Sequence, residues 1–479
     1  MKTAASPRSQ TARDLTQTDR EPTLSEQLAH FTAQLEYDAI PERVRERASL
    51  HFMDSIGIAF AASGFDFAKV AHAGVAALGS GPCHAIGLPG AFALRDAVLL
   101  NGMLVHGIEY DDTAIRGRVH ASAFCVPNAL GAAESVRASG KSLLCAYVAG
   151  MEASVRIGIA AQGGFSRAGY NTVGLLGAFG GALVAGKLLG LDAAQLTMAQ
   201  GIAYSTAAGN REFTADDSWT KRFEAGWPGV GAITAVMLAR AGYKGPRTPY
   251  EGKYGLYRNY LLKDGAAVDT KPVTDGLGET WEFEHILLKM LPSCYFNHPL
   301  INSTLALVRG GDVDASRIRG IRVFVPAAGV DTVCEPRVKK LTSVDVAAAQ
   351  FSAYFSVACA AVRRRFTLDD LDPASCADPA IRSLAAKVQY VIDTESNFPA
   401  HYSGGVEITM DDGRVLRARE DVNRGSAELP LAASDIEEKF LSNAGRVMPR
   451  ARAQELQDSL LAIEKTTDVS ELVQRLAAH

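Results

Sequence analysis

The 479-residue sequence has little of what marks the specialised protein classes. Its seven cysteines (83, 125, 145, 294, 334, 359 and 376) are odd in number, scattered and without a C-x-x-C pair. That excludes a disulfide framework or zinc ribbon and predicts a reducing, cytoplasmic setting with no bound metal. Neither sign of charge dominates: 49 Lys+Arg against 53 Asp+Glu leave a formal charge of -4, so no basic surface for nucleic acid is expected. Long apolar runs are missing too. The longest, Gly174 to Gly186, is broken by Lys187 and falls short of the roughly 18 residues of a membrane span, so no membrane partner is expected. Residues 1–22 are polar, rich in Ser, Thr and Arg, and lack the apolar stretch of a secretory signal. They read as a disordered tail, and Asp14, Asp19 and Glu21 argue against a transit peptide.

What is present is a chain with 47% apolar and 21% charged residues, long enough for about two to three domains. Thr23-Leu-Ser-Glu26 fits a capping box and predicts where order begins. From there to about 265, three-to-four-residue apolar spacing predicts helices near 41–62, 91–110, 121–138, 141–160, 174–190, 193–209 and 220–242. Gly174, Gly177, Gly180 and Gly181 fall on one such segment. Glycine inside a helix costs about 1 kcal/mol relative to alanine, so its repeated use predicts helices crossing at close range. After Lys271 the pattern changes. Residues 318–326 and 388–392 have strand composition, 406–419 reads as a hairpin around Asp412-Gly413, and helical stretches at 299–309 and 344–363 lie between them. The fold class is therefore mainly α: an all-helical domain (23–269 and 426–479) and a smaller α+β lid domain (270–425), with the C-terminal helices, opened by a capping box at Ser434-x-x-Glu437, returning to the helical body.

Three familiar motifs fail on inspection. Gly181-x4-Gly186-Lys187 has Leu188 where a phosphate loop needs Ser or Thr, and no strand precedes it. Gly174-Leu-Leu-Gly-Ala-Phe-Gly lacks dinucleotide-binding spacing, and Asp111-Asp112 lacks the third carboxylate of a Mg²⁺-diphosphate site.

Two polar stretches remain. In Asn101–His120 an apolar helix ends in His106, Glu109, Asp111, Asp112, Thr113, Arg116, Arg118 and His120, and another apolar helix follows at once. So dense a cluster between buried helices points to a polar cavity, the alternative being a solvated loop. In the second, Lys221 and Arg222 open an apolar helix, where the helix dipole prefers negative charge. Cations there suggest a bound anion such as a carboxylate, the alternative being side chains turned to water.

With these pieces in view the chain resembles the MmgE/PrpD family, whose members include 2-methylcitrate dehydratase, cis-aconitate decarboxylase and an iminodisuccinate epimerase. The matching pieces are His51-Phe-Met-Asp54-Ser-Ile-Gly57, Asn101–Thr113 with His120, Glu152-x-x-x-Arg156, Gly169–Gly181, Lys221-Arg222-Phe-Glu-Ala-Gly226, Lys289-Met-Leu-Pro292-Ser-Cys294 and Ala349-Gln350-Phe351-Ser352. The resemblance implies a helical domain with an α+β lid, an active site between them, no cofactor and a homodimer. It places Glu109 at the family's usual Asp, and matches Thr113, His120, Lys221 and Lys289 to family site residues. Asn171 stands where the family has a histidine, and Cys294 where the decarboxylase has one, which removes two groups that titrate near neutrality.

The implied chemistry removes a proton or CO₂ next to a carboxylate of a small di- or tricarboxylate. His120 would be the general acid/base, with a structural histidine as the alternative, and Lys221 would stabilise the developing charge. Glu109 and Asp112 would orient these groups or hold a leaving hydroxyl. Thr113, Asn171, Arg222, Lys289 and Arg116 would bind the substrate. A dehydratase-like hydro-lyase is the first expectation, a decarboxylase of the cis-aconitate type or a dicarboxylate epimerase the second, and a catalytically degenerate carboxylate-binding protein the alternative from another class. His51 and His285 are left as structural.

Overall fold

The computed structural model describes residues 20–478, apart from 217, 262–267, 311–312 and 343–344. The tail expectation for 1–22 therefore lies almost wholly outside the described residues. The first helix opens as the sequence predicts. The Thr23 hydroxyl accepts the Glu26 amide, and the Glu26 carboxylate accepts the Thr23 amide at 2.9 Å, opening the helix Leu24–Gln34.

The protein is mainly α with a smaller α+β portion, as expected. The predicted helices of the first half form at Glu42–Ser63, Leu94–Val105, Ser122–Val136, Gly140–Ala160, Thr172–Leu188, Ala193–Tyr204 and Thr220–Arg240. Gly140–Ala160 is long and apolar enough to cross a membrane, but 94% of its most apolar window is buried within the protein, against the neighbouring helices. The glycines of Thr172–Leu188 sit at close approaches as the spacing predicts, a Cβ on Gly180 falling 2.2 Å from the Ser154 hydroxyl. A Cβ on Gly102 would lie 2.5 Å from the Gly226 Cα, so Leu94–Val105 and Thr220–Arg240 meet backbone to backbone. That crossing fixes where Lys221, five residues before Gly226, stands relative to the loop after residue 105.

The α+β portion holds a four-stranded sheet in the order β4-β3-β5-β6, from Val388–Ile392, Ile318–Val325, Gly404–Met410 and Val415–Glu420. β4 runs parallel to β3, and the other pairs are antiparallel. Ile321, Val323 and Val325 alternate into the core, and an irregularity between Ile318 and Gly320 restores Ile318 to the same buried face. The β5–β6 hairpin turns at Asp412-Gly413 as predicted, with Gly413 at φ 87°. The helices His298–Arg309 and Ala353–Arg363 pack on the sheet. The helix expected over 344–363 is broken: Val346–Gln350 ends at Phe351, and Ser352 caps a new helix by accepting the Phe355 amide.

The C-terminal helix Ala433–Ala444 packs on Glu42–Ser63, with the Phe440 ring over Gly57 and edge-on to Phe60. Its start differs from expectation. Ser434 lies inside the first turn, and Asp435 accepts the Ala432 amide. The Lys439 ammonium, buried between portions, bonds Asp54 (2.8 Å) and the carbonyls of Tyr110 and Lys289. Buried Arg156 does a similar job, bonding Glu152 and the carbonyls of Asp275 and Thr280, which anchors the 272–283 segment to Gly140–Ala160. His51 is enclosed against Phe283.

Candidate active site

The loop after Leu94–Val105 is shaped by two residues in the left-handed region. Glu109 has φ 54° and Arg118 φ 49°, conformations that L residues adopt rarely and that accumulate at functional sites. Between them Thr113–Ala114 (β1) pairs antiparallel with Ile286–Leu287 (β2), and Ala114 bridges back to Val119. This double pairing sets His120 beside Thr113 and brings the segment carrying Lys289 alongside Glu109.

The result is a cavity of about 600 Å³ walled by both portions of the chain, with Glu109, Thr113, His120, Asn171, Lys221 and Arg222 from the helical side and Lys289, Cys294, Gln350 and Tyr402 from the other. The Glu109 carboxylate bridges two lysines: Lys221 is ion-paired to one oxygen, and Lys289 stands 3.5 Å from the other. Burial, with the neighbouring Lys289 charge, holds Lys221 well below the usual lysine range, and burial lowers Lys289 as well. A negative group beside them favours the charged form of both lysines.

His120 donates from Nδ1 to the Asp112 carbonyl at 2.5 Å, with the Thr113 hydroxyl 3.3 Å away. A backbone carbonyl can only accept, so the neutral ring keeps its proton on Nδ1 and carries its lone pair on Nε2. Burial lowers its pKa, which favours that neutral form. Asn171 caps Thr172–Leu188 by accepting the Val173 amide while its own amide donates to Glu224 at 2.7 Å. Arg222 donates to the Gly107 carbonyl and lies over the Phe67 ring, its charge at the cavity edge.

Two expected residues do not reach the cavity. Asp112 is fully buried, and its carboxylate turns to Ser122, accepting the hydroxyl at 2.7 Å and the amide at 3.3 Å. It caps the next helix, and only its backbone carbonyl touches His120. Arg116 swings outward to Glu282, one guanidinium nitrogen donating to both carboxylate oxygens at 2.7 Å, its side chain 55% exposed. The cavity is instead lined by Arg118, whose guanidinium lies over Phe398, and by Arg211. Sequence reasoning also missed Asp111 and His106. Asp111 was considered only as a magnesium ligand, yet it bonds His106 Nδ1 at 2.6 Å and stands 3.9 Å from His120 Nδ1. The signal was there: a histidine at a helix end, five residues before an acid, in the densest polar cluster of the chain. Among the described residues no three His, Cys, Asp or Glu side chains gather as a metal site.

The chain thus combines a helical body, a smaller α+β portion and a cavity between them that carries two lysines on one carboxylate and a histidine. Residues 26–268 match the MmgE/PrpD N-terminal domain and residues 291–465 the MmgE/PrpD C-terminal domain, so the chain belongs to the MmgE/PrpD family. It is similar along nearly its whole length to a cis-aconitate decarboxylase-like protein of Aspergillus oryzae, 26% identical over 96% of this chain and 98% of the relative. It is likewise similar to the cis-aconitate decarboxylase of Aspergillus terreus, 25% identical over 95% and 96%. The mouse cis-aconitate decarboxylase is 23% identical over 94% of this chain and 91% of its own length.

Proposed function

We propose that this protein is a cofactor-free lyase, a hydro-lyase that removes water from a small hydroxylated di- or tricarboxylate. The observation that carries this is the convergence of Lys221 and Lys289 on one carboxylate, Glu109, in a cavity that also holds the Nε2 lone pair of His120. A substrate carboxylate takes the place beside the lysines. His120 takes the proton from the adjacent carbon, and the negative charge that builds on the carboxylate oxygens is met by cations already in position. Arg118 and Arg211 lie further along the same wall for a second carboxylate. The full-length relatives, named for a decarboxylation, support a lyase, and their names favour loss of CO₂ as the second reading.

The test is a panel of citrate-like hydroxy acids and cis-aconitate, scored for alkene formation and CO₂ release. Alkene from a hydroxy acid, falling about 10²–10³-fold in Lys221→Met, is the expected result. Release of CO₂ without dehydration would select the second reading, and turnover of nothing would sink both.

A further inference from the structure

Arg118 comes to the cavity from the helical body and Tyr402 from the α+β portion, and neither has its polar head satisfied. The Arg118 side chain is partly buried, yet its guanidinium makes no ion pair and no hydrogen bond with a described residue. Its place is nonetheless fixed. The guanidinium carbon lies 5.4 Å from the centre of the Phe398 ring, and the group rests on Gly163, where a Cβ would stand 2.5 Å from Nε, Cζ and Nη1. Gly163, at φ 75°, leaves room that a side chain would fill. A guanidinium offers five donors in a planar fork that matches a carboxylate, and one held in a cavity wall with its donors idle fits an anion.

Tyr402 borders the same aromatic ring, its centre 5.4 Å from that of Phe398. Phe296 and Tyr295 pack against it at 4.8 and 4.9 Å. The side chain of buried Asn423 fixes the Tyr402 backbone, accepting its amide at 2.7 Å and donating to its carbonyl at 3.0 Å. The phenol hydroxyl has no hydrogen-bond partner among the described residues. Burial foremost, with Cys294 adding to it and the Arg118 charge opposing, holds the phenol above its ordinary range, so the group keeps its proton and offers a donor.

We propose that the Arg118 guanidinium and the Tyr402 hydroxyl form a second carboxylate subsite, built from both portions of the chain, and that Tyr402 is a specificity-determining residue that selects ligands with two or more carboxylates. The inference rests on the polycarboxylate reading of the cavity and deepens it. One ligand carboxylate lies with Lys221 and Lys289, and another is taken by Arg118 while Tyr402 donates to it from the facing portion. A monocarboxylate held at the lysines leaves Arg118 and Tyr402 without a partner.

Propane-1,2,3-tricarboxylate has no hydroxyl to lose, so calorimetry reads its binding without turnover. Loss of a hydrogen bond to a charged group weakens binding by roughly tenfold or more. Its Kd should therefore rise about tenfold in Tyr402→Phe, which removes only the hydroxyl, and at least as much in Arg118→Gln. Butanoate, with one carboxylate, should bind wild type and both variants alike, and more weakly than the tricarboxylate binds wild type. A rise smaller than about threefold in Tyr402→Phe overturns the proposal, and that variant decides alone if Arg118→Gln does not fold. An equal weakening for butanoate, which a merely structural role would produce, overturns it too, as does a wild-type protein that does not bind the tricarboxylate. Weakened binding with no product from the hydroxy-acid panel would leave the subsite standing and sink the lyase reading. Turnover with unweakened binding would do the reverse.

Discussion

Replacing Asp112 by Asn removes one charge and almost nothing else, and the structure gives its effect a sign and a size. Asp112 is buried, and burial followed by the Asp111 charge pushes its carboxyl from 3.8 up to about 7, against the two bonds from Ser122. In the unfolded chain the group titrates near its ordinary value. Between pH 4 and 7 the folded state therefore binds one more proton than the unfolded state, and stability falls as pH rises through that window, then levels off above it. About three pH units at 1.36 kcal/mol each amount to roughly 4 kcal/mol lost from Asp112 alone. In Asp112→Asn this dependence disappears. Equilibrium urea unfolding of both proteins across pH 4.5–8 should show the variant gaining on wild type by a few kcal/mol from the acid end to pH 7. A difference that stays flat with pH, or runs the other way, would refute the assignment of a neutral buried carboxyl. Turnover should survive within about tenfold, because the carbonyl of Asp112 and not its carboxylate holds His120.

Arg116→Ala should leave turnover and KM within twofold and stability within about 0.5 kcal/mol in a steady-state assay and a melt, since its guanidinium is half exposed and paired with Glu282. Lys439→Met should cost about 3–5 kcal/mol by denaturant titration, because Asp54 is left charged in the core; adding Asp54→Asn should recover part of it, and a double variant no better than the single one would count against a buried pair. Gly226→Ala would set a methyl against the Leu99 carbonyl and push two helices apart. An overpacking cost of about 1–3 kcal/mol is expected, with a drop in turnover as Lys221 shifts from Glu109, measured on the soluble fraction.

The sequence alone carried the helical body, the strands between 318 and 420 and several of the cavity's polar residues. Those features are local: apolar period, capping pairs such as Thr23–Glu26, the Asp412-Gly413 turn and the bunching of charge at 106–120 are set by neighbours in the chain. It also marked Lys221, Lys289 and His120 through the resemblance to a family, and the cavity contains all three. The directions in which side chains point were not legible. Arg116 and Arg118 differ by two positions, yet one faces solvent and the other the cavity, because a left-handed residue at Arg118 and the Ala114–Val119 bridge decide the turn between them. Asp111 and Asp112 are adjacent, yet one bonds the His106 ring and the other accepts from Ser122 at the start of the next helix. Pairing Glu109 with Lys289 required β1 to meet β2 across more than 170 residues of chain. Backbone pattern is a short-range property that a sequence displays; which polar groups share one buried space depends on long-range pairing, and that was decided only when the chain closed on itself.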